Sequence, residues 1–185
     1  MNTYDQEVFN YLTETENYRS AKQVASQIGQ IDDKLRSDFW QAVKESVINK
    51  MQNAGVGNWE VDLSLSDQWF SVHRKGWESF GVNVDQLFGR PDFGIDCASN
   101  AYDRVKVNEL IDPIKKAEGF GDRNVNHWPI YRAIGLDFSQ QATLESILPE
   151  RKAGTVERVA GIFEDFIKKY SMVLDRIDSE AKLSK

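Results

Sequence analysis

The sequence predicts an α+β fold with amino-terminal helices, a four-stranded antiparallel sheet and a long carboxyl-terminal amphipathic helix. Three observations indicate this fold class. Residues 1–56 show helical periodicity, residues 57–100 contain four short segments of alternating apolar and polar residues, and residues 101–185 end in a long apolar stripe at helical spacing. With 185 residues, of which 41% are hydrophobic, the chain can bury a core of its own. We therefore expect one domain made of these three parts.

The amino-terminal part predicts three helices. Residues 4–12 carry apolar side chains on one side and form the first. A capping-box pattern that starts at Ser20 opens a second helix over residues 21–28, which Gly29 can close. A third helix follows, with apolar residues at three- and four-residue steps, and ends at Asn53.

The sheet is predicted from the period of the next segment. Trp59, Val61 and Leu63 share one parity, while the polar residues between them take the other, and this pattern recurs three more times before Ala98. Because the connections are short, the strands are expected to form an antiparallel meander with one solvated face. That face would carry solvated acids, namely Asp62, Asp85, Asp92 and Asp96.

The rest of the chain predicts a loop region and the longest helix. Residues 105–116 are a helix candidate limited by Pro113, and residues 119–129 read as a loop. Residues 156–177 form an amphipathic helix of roughly six turns. We expect its apolar stripe to pack across the sheet, with a homodimer seam along this helix as the alternative.

Composition and charge narrow the class of protein. The formal charge is −6, and residues 57–100 hold seven acids against three bases, so a broadly basic nucleic-acid surface is not expected. The amino terminus has no signal-peptide pattern, and no apolar run is long enough to span a bilayer, which predicts a cytoplasmic protein without a membrane partner. The single cysteine, Cys97, is expected to be a small buried hydrophobe.

Templates for catalysis do not fit the sequence. The two histidines, His73 and His127, are not accompanied by a GxSxG motif. The glycines of residues 119–121 lack the later glycine and the Lys-Ser/Thr pair of a phosphate loop. Cofactors and metal ions are therefore not predicted, and we expect no enzyme.

A degenerate metal-dependent nuclease is one alternative. Acids and a lysine gathered at a sheet edge could hold a divalent ion, and the candidates are Asp92, Asp96, Asp103 and Lys106. A nuclease of the PD-(D/E)XK kind needs the second acid and the lysine two positions apart on one strand. In this sequence Asp103 and Lys106 are three positions apart, so we expect none of the four candidates to be catalytic.

A nucleic-acid-binding module is the other alternative. Residues 20–29 resemble the first helix of a helix-turn-helix, with Gly29 in the turn. The following helix would read nucleic acid, but it begins with three acids, so only Lys34 and Arg36 could reach phosphates.

The most conspicuous partner-binding candidates lie in or beside the loop. Aromatic and cationic side chains of the types that dominate binding interfaces surround a proline. They are His127, Trp128, Tyr131 and Arg132. Equally, Trp128 and Tyr131 could fold back into the core beneath the loop.

Aromatic positions and strand order recur along the segments FWQAVKESV, GNWEVDLSLSDQWFSVHRKGW, FGVNVDQLFGRPDFGIDCA and HWPIYRAIGLDF. In these features, residues 36–178 resemble the carboxyl-terminal, non-catalytic half of bacterial and phage PD-(D/E)XK-superfamily proteins of unknown function. The catalytic half of that family precedes this region and has no counterpart in the sequence. The resemblance implies a standalone accessory or binding module, and it carries over no catalytic residue.

The sequence therefore predicts a non-enzymatic, cytoplasmic interaction or accessory protein, phage- or defence-related. We expect it to bind a macromolecular partner, most simply another protein, through exposed aromatic residues and the acidic face of the sheet. Nucleic-acid binding at Lys34 and Arg36 is the first alternative, and the degenerate nuclease is the second.

Overall fold

The computed structural model describes residues 3–55, 57–121 and 127–183. The chain divides into two compact units, Met1–Leu35 and Arg36–Lys185. None of the described helices is both long and apolar enough to cross a membrane.

The first unit is helical and has no core of its own. It contains α1 (Thr3–Thr13) and the first part of α2 (Thr15–Asn53). None of its described residues is buried. Nine of its large apolar side chains are exposed to solvent, and they are Tyr4, Val8, Phe9, Tyr11, Leu12, Tyr18, Val24, Ile28 and Ile31.

α1 confirms the helix predicted over residues 4–12, but the next two predicted helices are one. α2 passes through Gly29, where the sequence predicts a helix end. A single glycine inside a helix costs only about 1 kcal/mol relative to alanine, and the good helix formers on both sides outweigh it. The turn that a helix-turn-helix requires at Gly29 is therefore absent, so the helix-turn-helix interpretation of residues 20–29 is wrong.

The second unit contains the sheet, which has five strands and not the predicted four. The strands are β1 (Trp59–Ser64), β2 (Trp69–Arg74), β3 (Phe80–Asp85), β4 (Asp92–Cys97) and β5 (Ile130–Ala133). They lie in chain order and every neighbouring pair is antiparallel, which confirms the meander. The fifth strand was missed because its four residues are too few to show a period, and because they follow a stretch with loop composition.

The two faces of the sheet differ in polarity, as the alternation predicts. Phe70, Val82 and Ile95 are fully buried on the core face. On the other face, one row of directly paired residues crosses the whole sheet from β1 to β5, and it consists of Asp62, Ser71, Asn83, Gly94 and Tyr131.

Three further helices follow the fourth strand: α3 (Arg104–Glu118), α4 (Gln141–Ser146) and α5 (Lys152–Glu180). Asp103 caps α3, and its carboxylate accepts a hydrogen bond from the Val105 amide at 2.9 Å. Pro113 lies inside α3 and does not limit it as predicted. The helix tolerates the missing amide hydrogen bond because packing of its buried face holds it in place.

The apolar stripe of α5 packs on the sheet within the same chain. The ring centroid of Phe163 lies 4.9 Å from that of Phe70 and 5.2 Å from that of Phe93. On the α2 side, the buried Trp40 donates a hydrogen bond from Nε1 to the Leu87 carbonyl oxygen at 2.8 Å. A homodimer through α5 stays a prediction, and it would have to use the faces of the helix that the sheet does not cover.

Cys97 is buried and free, as the sequence predicts. Burial raises the pKa of its thiol to about 12, so the thiolate that a nucleophile needs is scarce at neutral pH. Its role is packing.

Removing residues 1–35 is expected to leave the second unit folded. None of the described residues of this segment is buried, so the free energy of unfolding should change by no more than about 1 kcal/mol. All five tryptophans lie in residues 36–185, and their fluorescence in urea reports on this unit alone. A loss of more than about 2 kcal/mol would show that the segment supports the fold.

Candidate functional site

The polar face of the sheet carries a cleft of about 500 Å³. Its floor comes from four successive strands, and the polar residues that line the cleft are Asp62, Ser71, His73, Ser79, Asn83, Asp85 and Asp96. Its walls are aromatic, and they include Trp69, Trp77, Phe80 and Trp128. Acidic and aromatic groups are thus gathered in one concave site.

The register of the strands explains the floor. Asp62 pairs with Ser71, which pairs in turn with Asn83, so these three side chains form a row across β1, β2 and β3. On β4, Asp96 pairs with Gly81. Because residues two apart on a strand share a face, Asp96 and Asn83 project on the same side, and Asn83 Nδ2 donates a hydrogen bond to Asp96 Oδ2 at 2.9 Å.

Gly81 leaves the room in which two of these polar groups approach each other. A Cβ atom at this position would lie 2.8 Å from Ser71 Oγ and 2.9 Å from Asn83 Oδ1. The hydroxyl and the amide oxygen therefore converge on the space above Gly81. Any larger residue at position 81 would push them apart.

The aromatic walls are held by contacts between rings. Trp77 stacks at a tilt against Phe80 with centroids 4.6 Å apart, and meets Trp59 edge to face at 5.3 Å. Trp69 is half-buried and lies opposite Asp85 in the β2–β3 pair. Trp128 is buried, at 9% exposure, as the alternative expected and not as an exposed aromatic residue, and it forms the wall next to β4.

Two unfilled hydrogen-bonding groups face this cleft. Ser71 is only 6% exposed, and its hydroxyl has no hydrogen-bond partner within the part of the chain that the structure describes. The Oδ1 atom of Asn83 is buried, and it likewise accepts no hydrogen bond from a described residue. An unsatisfied buried polar group costs about 1–3 kcal/mol, so Asn83 Oδ1 is a place where a ligand would gain affinity.

The Asp96 carboxyl has a perturbed pKa. Burial raises its pKa above the ordinary value of 3.8, and the neighbouring Asp85 carboxylate adds to the rise. His127 and the hydrogen bond from Asn83 act in the opposite direction. A positive charge placed beside Asp96 would offset both the loss of hydration and the repulsion from Asp85.

His73 is engaged at both ring nitrogens. Its Nε2 lies 2.9 Å from Asp62 Oδ2, and its Nδ1 lies 3.2 Å from the Arg74 carbonyl oxygen. The imidazole therefore fixes the Asp62 side chain at the edge of the cleft, and no serine or cysteine nucleophile among the described residues is paired with it.

The four partner-binding candidates do not form one surface. Trp128 lines the cleft, and the Cys97 amide holds the adjacent His127 by donating to its carbonyl oxygen at 2.7 Å. Tyr131 pairs with Gly94 on the polar face. Arg132 has the opposite parity, and its guanidinium lies 5.0 Å from the ring centroid of Phe120.

The residues of the two alternatives are also dispersed. Asp92 and Asp96 lie on β4, whereas Asp103 caps α3 and also accepts a hydrogen bond from the Lys106 amide. Among the described residues, no three or more His, Cys, Asp or Glu side chains are arranged to hold a metal ion.

The two cations proposed to reach phosphates lie within α2. Lys34 is exposed, whereas Arg36 is half-buried and donates from Nη2 to the Phe138 carbonyl oxygen at 3.2 Å. Their predicted role at the start of a recognition helix does not fit this position.

Sequence reasoning found part of the cleft. The acidic sheet face contributes Asp62, Asp85 and Asp96, and of the four proposed partner-binding residues only Trp128 lines the cleft. The polar residues Ser71 and Asn83 were not singled out. One signal was available: Trp69 shares the parity of Ser71 and His73, so a large aromatic residue stands on the face that should be solvated.

No protein-family model, no curated protein and no solved structure matches this chain. The resemblance to the non-catalytic half of PD-(D/E)XK-superfamily proteins therefore stays a prediction. The fold and the cleft define the class of site, an acidic cleft with aromatic walls on an antiparallel sheet.

Proposed function

We propose that this chain is a non-enzymatic interaction protein that binds a positively charged segment of a protein partner in the cleft. The observation that carries this proposal is that three carboxylates and three tryptophans line the same cavity. The proposal keeps the predicted setting, a cytoplasmic accessory protein that is phage- or defence-related.

The charge of the cleft favours a cation. Asp85 and Asp96 lie in one cavity, and the charge of Asp85 disfavours the charge of Asp96. A cationic group between them would relieve this repulsion and would be attracted strongly in a partly desolvated site. The same charges would repel nucleic-acid phosphates from this face.

The aromatic walls favour a protein segment as the source of that cation. Tryptophan faces attract cations through their quadrupole and bury alkyl stems of basic side chains. Tryptophan is also enriched among the residues that dominate protein interfaces. Binding in this cleft needs no reacting group, which agrees with a histidine that is engaged at both nitrogens.

The test is a titration with two synthetic peptides of equal length, one basic and one acidic, followed by tryptophan fluorescence. The basic peptide is expected to bind, and Asp85→Asn should weaken it at least about tenfold, or about 1.4 kcal/mol. Glu109→Gln removes one negative charge from an exposed position on α3 and should leave the affinity unchanged.

Equal binding of the acidic peptide, or equal losses in the two variants, would contradict the proposal. Single- and double-stranded nucleic acids added in parallel test the alternative at Lys34 and Arg36. Salt-sensitive binding of nucleic acid that Lys34→Glu with Arg36→Glu abolishes would favour that alternative instead.

A further inference from the structure

We infer that the cleft recognises the guanidinium group of an arginine side chain in the partner protein. This inference rests on the proposed function and specifies the group that the cleft selects. It is derived from the hydrogen-bonding capacity of the floor and from the nature of the walls.

The floor of the cleft presents hydrogen-bond acceptors, so a ligand that binds there must supply hydrogen-bond donors. Asn83 Oδ1 can only accept, and no described residue donates to it. The Ser71 hydroxyl beside it is 6% exposed and has no partner among the described residues. The carboxylate of Asp96 also only accepts when ionised. The ligand that completes this floor therefore carries several N–H donors and a positive charge.

The positions of these acceptors suit a planar donor. Ser71 Oγ and Asn83 Oδ1 converge on the space above Gly81, and Asp96 is joined to Asn83 through a hydrogen bond of 2.9 Å. A guanidinium presents five N–H groups in one plane, so it can reach an amide oxygen and a carboxylate together. Such charge-assisted hydrogen bonds are about twice as strong as neutral ones.

The walls distinguish arginine from other cations. A guanidinium is weakly hydrated and stacks flat on tryptophan, whereas the lysine ammonium is compact and strongly hydrated. The cleft has two half-buried tryptophans, Trp69 and Trp77, on which such a plane can stack. A trimethylated lysine would satisfy aromatic walls, but it has no N–H donor and would leave Asn83 Oδ1 and Ser71 unfilled.

The size of the cleft indicates that the arginine belongs to a longer chain. Its volume of about 500 Å³ lies within the range of pockets that hold whole small-molecule ligands, about 300–1,000 Å³. One side chain fills only part of it, and the backbone that flanks the arginine would occupy the rest. A free guanidinium compound would therefore bind more weakly than a peptide.

The experiment compares four peptides that differ at one position, with arginine, lysine, trimethyl-lysine or citrulline, by calorimetric titration. The arginine peptide should bind at least about tenfold more tightly than the lysine peptide, a difference of about 1.4 kcal/mol. Citrulline keeps the shape without the charge, and its peptide should not bind measurably. Agmatine, a free guanidinium compound, should bind at least about tenfold more weakly than the arginine peptide.

Two matched variants test whether the arginine side chain binds at the floor of the cleft. Ser71→Ala should weaken the arginine peptide and reduce its preference over the lysine peptide, while the folded state is retained because an unpaired hydroxyl is removed. Ser99→Ala, in the exposed turn after β4, should change neither. Thermal unfolding of both variants confirms that the fold is intact.

Each outcome decides the inference. Equal affinity for arginine and lysine peptides overturns the arginine inference and leaves the proposed function standing. Tighter binding of the trimethyl-lysine peptide overturns it in the same way. If agmatine binds as tightly as the arginine peptide, the inference that the guanidinium belongs to a protein partner is overturned. If no peptide binds, both the inference and the proposed function are overturned.

Discussion

Gly94→Ala is expected to lower the free energy of unfolding by about 3 kcal/mol, near the upper end of the usual range for overpacking. A Cβ at this position would lie 2.1 Å from the Ile130 carbonyl oxygen and 2.8 Å from the Tyr131 Cα atom. Both contacts are with backbone, which cannot rotate away as a side chain would. β5 must therefore move off β4 to accommodate the methyl group.

The same substitution should also damage the cleft. Trp128 precedes β5 by two residues, so a displaced β5 carries this wall of the cleft with it. We expect the affinity for a basic peptide to fall together with the stability. Urea unfolding followed by circular dichroism measures the first effect, and the peptide titration measures the second.

Gly161→Ala is the matched control for this prediction. Gly161 lies inside α5, and a Cβ there would meet no atom within 4 Å. Alanine in a helix interior is favoured over glycine by about 1 kcal/mol, so this variant should be slightly more stable than the original chain. Equal stability of the Gly94→Ala variant and the original chain would contradict the β4–β5 register.

Asp96→Asn is expected to make the folded chain more stable and the cleft a weaker binder. The substitution preserves the shape of the side chain and removes a charge that burial disfavours, so the free energy of unfolding at pH 7 should rise by about 1 kcal/mol. The asparagine can still accept from Asn83 Nδ2. Affinity for the arginine peptide should nevertheless fall at least about tenfold, or about 1.4 kcal/mol, because a charge-assisted contact is lost.

The stability difference should depend on pH with a defined sign. The pKa of Asp96 in the folded chain is raised above 3.8, so the unfolded chain loses this proton first as the pH rises. The folded state is therefore most favoured by this group below about pH 4, and that contribution is lost as the pH rises through the raised pKa. Asparagine does not titrate, so the advantage of Asp96→Asn should grow from about pH 4 and then level off.

His127 and Asp85 both influence the pKa of Asp96, so the pH series measures their combined effect together with that of burial. The series is run on the original chain, on Asp96→Asn and on Glu109→Gln, which removes one charge from an exposed position on α3 and serves as the control. A variant Asp96→Asn that is less stable than the original chain at pH 7 would contradict the description of Asp96 as a desolvated carboxyl.

Much of the fold could be predicted because its strands and helices show periodic patterns of apolar residues in the local sequence. The alternation in residues 59–97 fixed four strands and their faces, and the apolar stripe in residues 156–177 fixed α5. The ends of the helices were less predictable. Gly29 and Pro113 are local helix breakers, yet both lie inside helices, since packing and long-range context decide whether a weak break takes effect.

The cleft could be predicted only in part, because it depends on register and not on any single segment. The acidic face was predicted as solvated carboxylates, and Trp128 was proposed as a partner-binding residue for its composition alone. Only the pairing of four strands shows that Trp128, Asp96 and Asn83 line one cavity. The position of Ser71, buried beside Gly81, is likewise a property of the sheet.

The most direct measurement is a crystal structure of the chain with the arginine peptide. The expected result is a guanidinium seated in the cleft, hydrogen-bonded to Asn83 Oδ1 and to the Asp96 carboxylate, with its plane against a tryptophan face. A peptide bound at any other surface, or an arginine side chain that points away from the floor, would contradict the assignment of the cleft as an arginine-binding site.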